Sequence, residues 1–108
     1  MGKLEKIEKC VQKGKEDELV KLVHDRDKNV RLAAIAGLGR AGKDNACNVL
    51  ITLLLDDDPE IRSASASALG DLGDPRAQTL LMHHLGVEKD ERVAASIKDA
   101  VGKLHGGG

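Results

Sequence analysis

Apolar side chains recur at helical spacing along most of this chain. Ile61, Ala64, Ala68, Leu69 and Leu72 follow the i, i+3, i+4 rule, and so do Ala77, Leu80, Leu81 and Leu85. Each such stripe gives one face to a core and leaves the other to water. The pattern predicts seven helices, near residues 3–13, 16–24, 28–41, 44–55, 59–72, 75–85 and 91–104. Their starts carry chemistry of their own. Asp58 followed by Pro59 pairs an N-cap acceptor with a residue whose missing N–H costs nothing at the first helical position, and Asp74 with Pro75 reads the same way. Gly42 and Gly73 stop the helices before them.

The pattern is itself periodic. Shifted by 31 residues, Val30, Arg31, Leu38, Gly39 and Gly42 fall on Ile61, Arg62, Leu69, Gly70 and Gly73. Asp27 falls on Asp58, Ala46 on Ala77, Leu50 on Leu81 and Leu54 on Leu85, so whole helix pairs recur. A third copy starts at Asp90 after a slip of one residue, and its Val93, Ala100, Val101, Gly102 and Leu104 answer Ile61, Ala68, Leu69, Gly70 and Leu72. The reading is a single domain over residues 1–105, with units 3–24, 25–55, 56–87 and a half unit 88–105, and a flexible glycine tail at 106–108. The fold class is all-α, a short right-handed α-solenoid of antiparallel helix pairs.

Composition narrows the function. The 108 residues include no Phe, Trp or Tyr, so the core must be Leu, Ile, Val and Ala, and the stacking platforms of single-strand nucleic-acid binders are missing. Seventeen Lys and Arg stand against eighteen Asp and Glu, which removes the basic footprint of a duplex binder. Nucleic acid is not an expected partner. A membrane is not expected either, because no apolar run approaches a span and acids interleave the lysines of the first helix. Met1, Gly2 and Lys3 lead into a charged stretch rather than a secretory signal, which predicts a cytoplasmic protein.

At this point the residues carry a resemblance. Asp57-Asp58-Pro59-Glu60-Ile61-Arg62, then Ala68-Leu69-Gly70-Asp71-Leu72-Gly73-Asp74-Pro75-Arg76-Ala77, then a Leu-rich helix, resemble the short HEAT-like repeat of phycobilin-lyase type. The resemblance implies a ladder of stacked Asp and Arg side chains between repeats, here Asp27, Arg31, Asp58, Arg62 and Asp90. It also implies that the second helix of each repeat lines a concave side. Ala94 replaces the repeat arginine in the third copy, and the first copy lacks the Leu-Gly pair.

Other motifs lead to no site. Gly37 to Gly42 read G-L-G-R-A-G, but a dinucleotide fingerprint opens a helix after a strand, whereas these glycines fall where a helical run ends. Asp25, Asp27 and Asn29 start like a calcium loop, yet Val30 and Ala36 occupy the positions that need Gly and a bidentate acid. The acids Asp56, Asp57, Asp58 and Glu60 read as a turn feeding a helix N-terminus. His83 and His84 point about 100° apart on one helix and cannot chelate together. His84 takes the place of Leu53 and is expected to be half-buried, while His83 is expected to face water. The HEAT-like deoxyhypusine hydroxylases hold iron through His-Glu pairs, and no His-Glu pair occurs in this sequence. No catalytic residue, metal or cofactor is assigned, and Cys10 and Cys47 read as small buried side chains.

What remains is a surface. In a solenoid, positions one period apart form rows, so Val20, Ile51 and Met82 form an apolar row beside a polar row of Lys21, Thr52 and His83. Asp17, Asn48 and Thr79 form a third row, and Leu55 lies at the end of the fourth helix. This face suits a helix or extended segment of another protein. The expected function is a non-catalytic protein-interaction module or assembly scaffold, and the uncovered side of the closing helix leaves room for self-association. The resemblance to phycobilin lyases implies an alternative, an accessory subunit of a tetrapyrrole lyase-like or HEAT-like oxidoreductase system.

Overall fold

A computed structural model describes residues 2–106 as seven helices, with no strand among the described residues. They are α1 (Lys3–Lys13), α2 (Glu16–Leu22), α3 (Lys28–Ala41), α4 (Ala46–Leu53), α5 (Pro59–Leu72), α6 (Ala77–Leu85) and α7 (Glu91–Gly106). The long first helices start where their caps predict. Asp27 accepts the Asn29 N–H at 2.8 Å, Asp58 that of Glu60 at 2.9 Å, and Asp90 that of Arg92 at 2.8 Å. Such caps contribute roughly 0.5–2 kcal/mol each. Gly73 closes α5 in the left-handed region at φ 74°, where a side chain would be strained.

The second helices are shorter than the apolar spacing suggests. Asp74 and Pro75 do not open α6. The N–H groups of Ala77 and Gln78 donate to the carbonyls of Asp74 and Pro75 at 3.1 and 3.2 Å, three residues back, so a turn precedes the helix and α6 begins at Ala77. Likewise α4 starts at Ala46, and α2 and α4 end in turns at Val23 and Leu54. Gly106 closes α7 instead of belonging to a tail, and Gly107 and Gly108 lie outside the described residues.

The first helices pack side by side, α1 on α3, α3 on α5 and α5 on α7, the last two contacts being the most extensive in the molecule. The second helices rest mainly on the first helix of the following repeat: α2 on α3, α4 on α5 and α6 on α7. The closing helix is therefore the platform for α6, not a bare half unit. The outcome is a slab of 41 × 29 × 17 Å.

The core repeats with the sequence. Leu19, Leu50 and Leu81 are fully buried, as are Ile61, Leu69, Val93 and Ile97. Burying each such side chain contributes roughly 1.5–3 kcal/mol. The helices cross closely at glycine. A Cβ on Gly39 would sit 2.9 Å from the Cα of Ala68, and one on Gly70 would sit 3.0 Å from the Cα of Ala100. Gly102, one repeat further on, meets nothing within 4 Å.

Candidate partner-binding surface

The turns before the first helices are built from acids two residues ahead of each cap. Asp25, Asp56 and Glu88 accept the N–H of Asp27, Asp58 and Asp90 at 2.9, 2.9 and 3.0 Å. The arginines then clamp these turns from within. Arg31 donates to the carbonyls of Asp25 and Arg26 at 2.9 and 3.2 Å, and Arg62 to those of Asp56 and Asp57 at 2.8 and 3.1 Å.

The structure therefore wires the expected Asp–Arg ladder differently. Arg31 does not reach Asp58, because its guanidinium is turned back onto its own turn. Lys28 makes that crossing, with its Nζ 2.8 Å from both Asp58 and Glu60. Asp27 caps only its own helix among these residues, and Asp90 pairs with Arg92 at 3.3 Å on the surface. Of the two ladder arginines, Arg62 is the one that bridges repeats. Its Nε and terminal nitrogen donate to the two carboxylate oxygens of Glu88 at 3.0 and 3.1 Å. Glu88 is one methylene longer than the aspartates that precede it in the column, and its side chain is only 3% exposed. His84, half-buried as expected, lies with Nε2 2.9 Å from the same carboxylate. Burial pushes Glu88 up, but Arg62, the Asp90 N–H and His84 outweigh it and hold the carboxyl at about 2.

A second structural acid escaped the sequence reading. The buried carboxylate of Glu16 on α2 accepts the N–H groups of Asn45 and Ala46 at 3.2 and 3.1 Å, together with that of Lys43. It caps α4 from the neighbouring repeat, where Asn45 makes no side-chain cap. Cys47 occupies this position one period on. It is buried, and burial and the adjacent Asp74 push its thiol up. Asp74 turns inward on its own segment instead, and its pairing with Arg76 at 2.6 Å holds it at about 2.

These polar groups hold the fold together, which leaves the face of the second helices. Lys21, Asn48, Thr52, Leu55, Thr79, Met82 and His83 are exposed there. The apolar row is not a continuous open strip. Val20 and Ile51 are half-buried against the core, and only Met82 stands free, 55% exposed. Val20 and Val49 line a depression of about 490 Å³ between α2 and α4, rimmed by Asp17, Lys21, Asn45 and Asn48. One period on, the same register makes Ile51 and Leu80 the matching pair between α4 and α6, and among the described residues no further second helix stands beside Met82.

The glycines of Gly37 to Gly42 lie inside α3 and at its end, so they do not form a turn from a strand into a helix N-terminus. Among the described residues no group of three or more His, Cys, Asp and Glu side chains is placed to hold a metal ion, and no helix is long and apolar enough to cross a membrane. Helix pairs repeating at 31 residues, with leucine columns, glycine crossings and capped turns, define a helical-repeat solenoid. Residues 16–102 match the family of HEAT repeats, and the chain belongs to that family. Comparison with curated proteins gives no match.

Proposed function

We propose that this chain is a non-catalytic scaffold that holds another protein on the face formed by its second helices. HEAT repeats commonly serve protein interaction. The observation that carries the reading is the division of labour between side chains. Arg62, Glu88, Glu16 and Lys28 are engaged in fastening repeats together, whereas Thr52, Leu55, Thr79, Met82 and His83 are exposed. A cytoplasmic location accords with two free, buried thiols.

Immobilised chain should capture a defined protein from the source cell, and Met82→Glu should lose it with an unchanged melting curve. Capture that survives Met82→Glu combined with Thr52→Glu counts against this face. The phycobilin-lyase likeness belongs with the same test. Titration with a tetrapyrrole is expected to leave the pigment spectrum unchanged, and a saturable shift would favour the accessory-subunit reading instead.

A further inference from the structure

Asp, Glu, Lys and Arg make up 32% of this chain, yet residues 45–55 and 77–87 contain none of them. Those two runs hold α4 and α6 with the turn behind each. They also hold Leu55, Leu80, Met82 and Val87, four of the five large apolar side chains exposed among the described residues. On α6 the exposed arc runs from Leu80 at one edge, through His83 and Thr79, to Met82 at the other. Depletion of charge with exposed Met and Leu is the composition of an interface core, not of an ordinary solvated helix.

Acids outnumber the Lys and Arg side chains at its border. At the C-terminal ends of α4 and α6 a depression of about 350 Å³ takes in Leu55, Val87, Asp56 and Asp57. The last turn of α4 carries no basic residue of its own, so its carbonyl end adds partial negative charge beside these acids. Arg62, the nearest guanidinium, already serves Glu88 and the turn carbonyls. Lys89 is the remaining cation of that border.

We propose that the α4–α6 face receives an amphipathic helix of another protein, laid with its apolar stripe along α6 and with a Lys or Arg at the end that meets Asp56 and Asp57. This rests on the scaffold reading and gives the partner its chemistry. The nine residues of α6 span ~14 Å, so two to three turns of the partner suffice. A second copy of this chain is the weaker fit. Leu4 is the remaining exposed large apolar side chain, and the stripe of α1 is already turned inward through Ile7 and Cys10.

Three stapled helical peptides sharing one Leu/Ile stripe, ended by Lys, Gln or Glu, test this by fluorescence anisotropy against the full chain. The Lys peptide should bind tightest and the Glu peptide weakest, each roughly fivefold from the Gln peptide, the scale of one exposed charge pair in contact. Asp57→Lys should collapse or reverse that order, and Met82→Glu should abolish binding of all three while the helical circular dichroism stays unchanged. Equal affinity for the three peptides overturns the basic-ended partner and leaves the scaffold reading intact. Binding of none overturns the helix proposal, and capture from the source cell then decides the scaffold reading separately. A wild-type dimer in sedimentation equilibrium that Met82→Glu dissolves would give the face to a second copy and overturn the proposal.

Discussion

The seam entering α4 and the seam entering α7 solve the same backbone problem with different side chains. At the first, Glu16 crosses from α2 to cap α4, and Arg40 on α3 pairs with Glu8 on α1. At the last, Arg62 crosses from α5 to a buried Glu88, with His84 alongside. The apolar columns at both seams are nearly identical, Leu50 and Leu81 being equally buried. The repeat is thus kept by its leucines and glycines, while each polar fastening is local in kind and replaceable in position.

The largest test of this contrast lies in the shared column. Leu50→Ala and Leu81→Ala should each cost about 2–5 kcal/mol in urea unfolding. A loss at one and not the other would show that the columns are not equivalent. Next come the unequal fastenings. Glu16→Ala strands three backbone donors at a buried site and should cost about 1–3 kcal/mol, whereas Asp74→Ala removes a local cap from an exposed turn and should cost ~1 kcal/mol. Equal effects would erase the distinction between a cap that spans repeats and one that does not.

Acid tests the fastening at the last seam. Glu88 is held at about 2 against an ordinary 4.5, so its contribution is fully present above pH 4.5 and is lost as pH falls towards 2. The difference in melting temperature between wild type and Glu88→Gln should therefore shrink over that interval, and a difference that stays constant would contradict the Arg62–Glu88 fastening. The smallest effect is one of sign. Gly70→Ala should destabilise by forcing α5 and α7 apart, while Gly102→Ala should stabilise by roughly 0.5–1 kcal/mol, since it meets no neighbour and sits in a helix. Thermal melts of the two variants moving in the same direction would show that the glycine column is not read by contact.

The sequence made some of this legible and hid the rest for identifiable reasons. Seven helices follow from apolar spacing, and the caps at Asp27, Asp58 and Asp90 follow from chemistry confined to neighbouring residues. Glu16 left no local trace, because its partners lie 27 to 30 residues away and nothing in its own helix marks them. The one-residue slip before the third copy concealed that Glu88 continues the column of Asp25 and Asp56. For Val20 and Ile51, helical spacing gives the angle of each side chain but not the neighbour that covers it, so it leaves open whether the row binds a partner or widens the core, and the row is partly a seam. Asp74 and Pro75 copy the letters of Asp58 and Pro59, and the backbone beyond them closes a turn before helix begins.

Gly102 shows what a further rod would meet on α7. The notch that admits Ala68 at Gly39 and Ala100 at Gly70 is still cut there. Lys98, however, stands exposed where the two earlier crossings bury Ile35 and Ala66. A newcomer fitting the notch would meet the Lys98 ammonium, so this helix offers the shape of the earlier crossings with a charge that they lack.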